Sequence, residues 1–381
     1  MGEIERYLPP VTGAWREGDV VGDRQFAPLG DVTLESGFVL PDVTMAYETW
    51  GTLDADASNA VLVLHALTGD SHVVGPVGEG HKSPGWWEGL VGPGRAIDTD
   101  RYFVVAPNIL GGCQGTTGPA SPAPDGAPWG SRFPYLTTRD QVTAEAAFAD
   151  GLGITRWAAV AGGSAGGMRA LEWAVSMPER VAGLFLLAST AAASAEQIAY
   201  SAAQVSAIAL DPAFRGGDFY AAAPGEGPHR GLALARRLAH ISYRSEEELA
   251  ERFGRHPQDD CVRDDGAKVH YSVESYLDHH GDKLVDRFDA NSYIVLSEAM
   301  NSHDIGRGRG GVEAALARIT ADAVVAGIDS DRLYPLSQQT EIAEHVRGCD
   351  RLDVVPSTHG HDGFLIEFKA IDPVARRLLG G

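Results

Sequence analysis

Three side chains in this 381-residue chain have the types and order needed for nucleophilic acyl chemistry. Ser164 lies in Gly162-Gly163-Ser164-Ala165-Gly166-Gly167-Met168, which fits Gly-x-Ser-x-Gly. At a sharp strand-to-helix turn, that pattern lifts a serine hydroxyl above the end of a parallel sheet. The pattern alone has little specificity, so its flanks must decide. Before it, Trp157-Ala158-Ala159-Val160-Ala161 suits a short buried strand. After it, 169–177 reads as a helix with Leu171, Ala174 and Val175 on one face and Pro178 just past its end. Glycine two residues before and two after the serine has a steric reason, because a crowded turn leaves no room there for a side chain. The blander alternative, a Gly-rich connection with an incidental serine, explains none of these flanks.

A serine hydroxyl is a poor nucleophile until a base takes its proton. When the nucleophile comes first, acid and histidine follow it at the ends of later strands. The apolar run 323–328 leads into Asp329-Ser330-Asp331-Arg332-Leu333-Tyr334-Pro335, and 352–355 leads towards His359-Gly360-His361-Asp362-Gly363-Phe364. Asp331 is preferred over Asp329, one turn further out and four residues before a proline. His361 is preferred over His359, since Gly-His-Asp-Gly leaves it free to swing onto Ser164. Both rivals stay open at this point. A developing oxyanion needs two backbone donors. Ala165 N–H is expected to be one, and Leu67 N–H, in the loop after strand 60–64, the other. His65 is expected to brace that loop.

These residues need a scaffold that brings strand ends together. Strands are expected at 31–40 and 43–50, joined by a turn at Pro41-Asp42, then at 60–64, 102–106, 157–161, 181–187, 323–328 and 352–355. Helices are expected at 138–152, 169–177, 312–319 and 337–346. The alternation implies an α/β fold with a mostly parallel central sheet and helices on both faces. From 189 to 297 the rhythm breaks into helices without strands: 194–210, 231–243, 245–253, 272–288 and 291–298. The expected organisation is a core formed by 1–188 and 298–381, interrupted by a helical lid insertion at 189–297. Residues 1–30 read as an extended arm over the core.

Composition narrows the partners. A net charge of −21 argues against nucleic acid, whose phosphates need a basic face. Cys113, Cys261 and Cys349 show no metal spacing and read as reduced, so no metal site is expected. No secretory or myristoylation pattern opens the chain, and its longest apolar stretch, 181–193, is too short and mixed to span a bilayer. A cytoplasmic protein without membrane contact is the expectation.

With these residues assembled, the chain resembles the homoserine O-acetyltransferases of the α/β-hydrolase superfamily. The resemblance runs nearly end to end. It rests on His65-Ala66-Leu67-Thr68-Gly69-Asp70, on Asn108-Ile109-Leu110-Gly111-Gly112-Cys113-Gln114-Gly115-Thr116-Thr117-Gly118-Pro119, and on 162–173 around the serine. It continues through Ala235-Arg236, Ser242-Tyr243, 330–335 and Gly360-His361-Asp362-Gly363-Phe364-Leu365. It implies an α/β-hydrolase fold with Ser164, Asp331 and His361 as the triad and Leu67 with Ala165 as the oxyanion hole. It also implies Arg236 on the carboxylate of L-homoserine with Tyr243 beside it, and Asp362 on the amino group. The implied reaction moves an acetyl group from acetyl-CoA, a co-substrate rather than a bound cofactor, giving O-acetyl-L-homoserine for methionine biosynthesis. A homodimer through lid helices is implied too.

Several alternatives stand beside this reading. The donor could be succinyl-CoA, the acceptor L-serine, or the protein a plain esterase or thioesterase. A non-catalytic binding protein fits poorly with an intact Ser…Asp…His order. Arg237 competes with Arg236, and Asp329 departs from the smaller uncharged residue expected there. Arg307 and Arg309 could form a basic entrance for CoA phosphates or simply a solvated loop.

Overall fold

The computed structural model describes residues 7–258 and 270–380. Cys261 and the first six residues therefore lie outside the described residues. The chain runs β1 (Gln25–Thr33), β2 (Val39–Trp50), β3 (Ala60–Leu64), the two-residue strands β4 (Val91–Gly92) and β5 (Ile97–Asp98), and β6 (Phe103–Pro107). It continues through α1 (Thr138–Gly151), β7 (Ala159–Gly163), α2 (Ala165–Ser176) and β8 (Gly183–Leu187). Next come α3 (Ala195–Ala209), α4 (His229–Tyr243), α5 (Glu246–Phe253), α6 (Ser272–Val285), α7 (Ala290–Asn301) and α8 (Val312–Leu316). The last elements are β9 (Asp322–Ile328), α9 (Leu336–His345), β10 (Cys349–Val355) and α10 (Phe368–Leu379).

Eight strands form one sheet in the order β1-β2-β6-β3-β7-β8-β9-β10. The six from β6 to β10 are parallel, and β1 and β2 add an antiparallel edge. Strands β3, β7 and β8 are wholly buried, which explains their unbroken apolar sequences. Their side chains alternate between two cores. Leu62, Leu64, Val160 and Leu184 join one with Trp157, Leu171 and Trp173 of the α1–α2 side. Val61, Val63, Ala161 and Phe185 join the other with Trp87, Ile371 and Ala375 of the α10 side.

Two sequence expectations are corrected. The first hairpin does not turn at Pro41-Asp42. Its turn is Leu34–Phe38, closed by Gly37 N–H to Leu34 O and Leu34 N–H to Phe38 O, with Gly37 at φ 83°. Pro41 and Asp42 lie inside β2, opposite register shifts at Pro28/Gly30 and Gly30/Val32. Such a bulge supplies the room that a residue without an N–H, followed by Asp42 at φ 48°, requires on an edge pair. Consequently β1 begins at Gln25, within the segment expected to be an irregular arm. The second correction is α10, which sequence periodicity did not single out. Pro373 sits inside this helix, yet Ile371, Ala375 and Leu379 are buried at helical spacing.

Between β8 and β9, the described residues form helices and no strand of the sheet. Helix α4 packs on both α3 and α6, and α3 packs on α7. The apolar core of this helical layer contains Ile208, Leu232, Ala235, Tyr293 and Leu296, and it closes over Leu67 and Ala165. No helix among the described residues is long and apolar enough to cross a membrane.

Candidate active site

Strand β7 ends in the turn that carries Ser164. Its backbone stands at φ 55°, ψ −126°, a region costing a non-glycine residue about 1–3 kcal/mol. Neighbouring glycines make the turn possible by close approach. A Cβ on Gly162 would lie 2.4 Å from the Gly166 carbonyl, and one on Gly166 would lie 2.0 Å from Leu64 O. Ser164 N–H is held by Leu187 O at 3.0 Å, and Ser164 O accepts from Ser189 Oγ at 2.8 Å and Met168 N–H at 3.1 Å.

The structure brings the three expected side chains into one line. Ser164 Oγ is 2.8 Å from His361 Nε2, and His361 Nδ1 is 2.6 Å from Asp331 Oδ2. All three are buried. The second oxygen of Asp331 accepts the N–H groups of Leu333 at 2.8 Å and Tyr334 at 2.9 Å. A carboxylate so fixed keeps Nδ1 protonated and leaves Nε2 to accept the serine proton. The ring of Tyr334 stacks on His361 at 4.8 Å, and burial raises its phenol's pKa. Tyr334 lies in the 330–335 motif, but nothing in its local sequence assigns it this position.

The rivals point elsewhere. Asp329 accepts Ser357 N–H at 2.9 Å. His359 faces Glu248 at 3.2 Å. Arg307 pairs with Glu35, and Arg309 with Glu172. The structure therefore does not bring Arg307 or Arg309 to the site.

Ala165 N–H opens α2, and Leu67 N–H lies in the loop after β3. Among the described residues neither donates to a backbone carbonyl. Both residues are buried. Their loop is braced from below. Arg169 of α2 donates to His65 O at 2.6 Å and is ion-paired with buried Glu145 of α1, which also accepts Trp173 Nε1 at 2.8 Å. His65 Nε2 accepts Ile109 N–H at 3.1 Å while Nδ1 faces Ala66 O at 2.7 Å. Burial, reinforced by Arg169, pushes the His65 pKa down to about 3. A neutral ring with a fixed tautomer suits bracing rather than proton transfer.

Helix α4 supplies the polar groups facing the triad. Arg236 donates to Thr68 Oγ1 at 3.2 Å and lies over the Tyr243 ring at 5.7 Å. The Tyr243 ring is 5.8 Å from that of His361. Arg237 turns away into an ion pair with Asp278. Asp362 pairs with Arg244 at 3.1 Å. Burial raises the Asp362 pKa, and Arg244, His361 and Arg236 oppose that shift. Arg287 donates to Thr68 O at 2.7 Å. Sequence periodicity could not distinguish Arg244 or Arg287 from exposed helix charges. A narrow cavity of about 40 Å³ beside the triad is lined by Leu67, Met168, Tyr243, Leu333 and Tyr334, among others, and by no charged residue.

Glu48, His72 and His81 are buried with ligand-type atoms within 4.8 Å of one another. The two rings stack 3.9 Å apart at 10°, so their nitrogen lone pairs lie in nearly parallel planes, poorly placed to converge on one tetrahedral metal. Glu48 also accepts Ser71 Oγ at 2.6 Å. The arrangement ties β2 to the segment following the Leu67 loop.

Residues 59–368, which contain the nucleophile turn and the Ser…Asp…His order, match a family model described as "alpha/beta hydrolase fold". The homoserine O-acetyltransferase of Thermobifida fusca (strain YX) is 62% identical over 371 residues, covering 97% of each chain. The chain belongs to the homoserine O-acetyltransferase family. Among solved structures, the homoserine O-acetyltransferase from Bacillus anthracis superposes with a TM-score of 0.84 at 27% identity, covering 94% of this chain and 97% of that one. Esterase E22 also superposes with a TM-score of 0.84, at 26% identity, covering 93% of this chain and 99% of that one. Acetyltransferase and esterase thus share one scaffold. The homoserine O-acetyltransferase family assignment rests on the far higher identity to its curated members.

Proposed function

We propose that this enzyme transfers an acetyl group from acetyl-CoA to the hydroxyl of L-homoserine by double displacement, giving O-acetyl-L-homoserine for methionine biosynthesis. The observation carrying the acceptor assignment is the pair of opposite charges beside the triad. Arg236 hydrogen-bonds only a neutral hydroxyl among the described residues, and Asp362, whose Oδ2 is paired with Arg244, has its other carboxylate oxygen for an amine near His361. A zwitterionic amino acid needs one cation and one anion. The small uncharged cavity supports an acetyl donor, because its lining offers hydroxyls and amides but no cation to a succinyl carboxylate.

Ser164 Oγ attacks the thioester carbonyl as His361 Nε2 takes its proton. Leu67 and Ala165 N–H groups hold the tetrahedral oxyanion. The C–S bond breaks, His361 returns the proton to the departing CoA thiolate, and acetyl-Ser164 remains. The homoserine hydroxyl then gives its proton to His361 and attacks the acetyl carbon. Cleavage of the serine ester with reprotonation of Ser164 completes the cycle. Residues 189–297 act as a lid that disfavours water relative to homoserine.

Replacing Arg236 by Gln should raise KM for homoserine by roughly tenfold to a hundredfold, the range expected for a lost charge-assisted contact. Arg237→Gln should leave it nearly unchanged. Equal effects would overturn the acceptor assignment. We further propose a homodimer through the lid, supported by exposed Leu234 and Ile241, seven residues apart on α4. Light scattering should then give twice the 40.4 kDa chain mass; a monomer would refute it. Unpaired Cys113 and Cys349 fit the reducing cytoplasm, checked by finding the tagged chain there and not in an exported fraction.

A further inference from the structure

A second and much larger cavity, of about 520 Å³, lies on the other side of the Thr68 loop and takes no part in the acyl steps above. The N-terminal segment, the turn at 78–83 and Arg287 enclose it. Its wall carries four cations, Arg16, Arg24, Lys82 and Arg287, against two carboxylates, Asp19 and Asp70. That balance inverts the chain's net charge of −21.

These cations spend their hydrogen bonds on neutral oxygens. Arg24 donates to Val21 O, Gly80 O and Gln114 Oε1, Lys82 to Asp286 O, and Arg287 to Thr68 O. Arg16 Nε and Nη2, Arg24 Nε and His81 Nδ1 are buried without a hydrogen-bond partner, while His81 Nε2 faces Glu48 at 3.6 Å. Arg24 and His81 are each 5% exposed. The two carboxylates are occupied locally, Asp70 by His72 N–H and Asp19 by Arg16 N–H. Asp70 offsets part of the charge of Arg24 and Arg287, yet four cations against two carboxylates, with buried guanidinium donors left over, still favour a polyanion.

Its place relative to the triad narrows the ligand. Arg287, on the cavity wall, holds Thr68 O, while Arg236 reaches Thr68 Oγ1 from the homoserine side. The oxyanion residue Leu67 precedes that threonine. We propose that this cavity holds the phosphate groups of the coenzyme A portion of the acyl donor, leaving the pantetheine arm to cross the Thr68 loop towards Ser164. The assignment rests on the acetyl-CoA reading above.

The test uses the full chain and two donors with the same thioester, acetyl-CoA and acetyl-pantetheine, which lacks the nucleotide phosphates. Arg16→Gln should raise KM for acetyl-CoA about tenfold, as loss of one phosphate contact predicts. Its kcat, its KM for acetyl-pantetheine and its KM for homoserine should stay within about twofold. Adenosine 3′,5′-bisphosphate should compete with acetyl-CoA in the wild type and lose potency in the variant. Lys82→Gln, at an exposed side chain, gives the same readout if Arg16→Gln does not fold. Parallel changes for both donors, unchanged KM values, or inhibition by inorganic phosphate as strong as by the bisphosphate would overturn the assignment. If the wild type cannot use acetyl-CoA at all, the donor reading itself fails. If the wild type uses it and the variants do not differ, only the cavity assignment fails.

Discussion

The hydrogen bond between His361 Nδ1 and Asp331 Oδ2, 2.6 Å long, decides which nitrogen faces Ser164. An amide in place of the carboxylate would offer a donor or a weaker acceptor and allow the other tautomer. Asp331→Asn should therefore lower kcat by about 10⁴-fold while the thermal transition moves little, since the backbone donors of Leu333 and Tyr334 still find an oxygen. Steady-state rates and a melting curve check both halves. Near-normal turnover would mean that another acid orients His361. Asp329 cannot take over as placed, because its carboxylate is turned to Ser357 N–H.

At the level of elements, the nucleophile turn is a packing problem before it is a chemical one. Helix α2 starts so close beneath β3 that a methyl group on Gly166 would sit 2.0 Å from Leu64 O, a backbone atom unable to step aside. Gly166→Ala is expected to cost about 1–3 kcal/mol or more of stability by overpacking and to suppress acylation. Urea unfolding would show it; a variant of wild-type stability would contradict the tight turn. This element was legible in the sequence because glycine spacing, apolar run and following helix all agreed. The hairpin was less so. Pro41-Asp42 looks like a turn, and only pairing with Gly30 and Val32 reveals a bulge within a strand. Helix α10 was hidden by Pro373. Ser164, Asp331 and His361 could be ordered along the chain from their motifs. The local Gly-His-Asp-Gly pattern pointed to His361 over His359, which Glu248 holds elsewhere. Arg236 over Arg237 was implied by the resemblance alone, because Asp278, the partner that draws Arg237 away, is far off in sequence.

For the whole molecule, burial of neutral histidines sets the response to acid. His65 and His303, each 2% exposed, have pKa values pushed down to about 3 and about 4 from 6.5, burial being the largest cause for both. Below pH 6.5 the unfolded chain takes up these protons before the folded one does. Stability is thus intact above that pH and lost progressively as pH falls towards the folded values, by at most about 1.4 kcal/mol per pH unit for each histidine. His72, raised by Glu48 against its burial, works in the opposite direction. Urea midpoints should fall between about pH 7.5 and about pH 5; a flat profile would contradict neutral buried rings. The most direct test of the catalytic reading is intact-mass measurement of the protein mixed with acetyl-CoA alone. One acetyl group should appear on Ser164, vanish on addition of L-homoserine with O-acetylhomoserine released, and never form on Ser164→Ala. Acetylation of that variant, or an acyl-enzyme that homoserine cannot discharge, would contradict it.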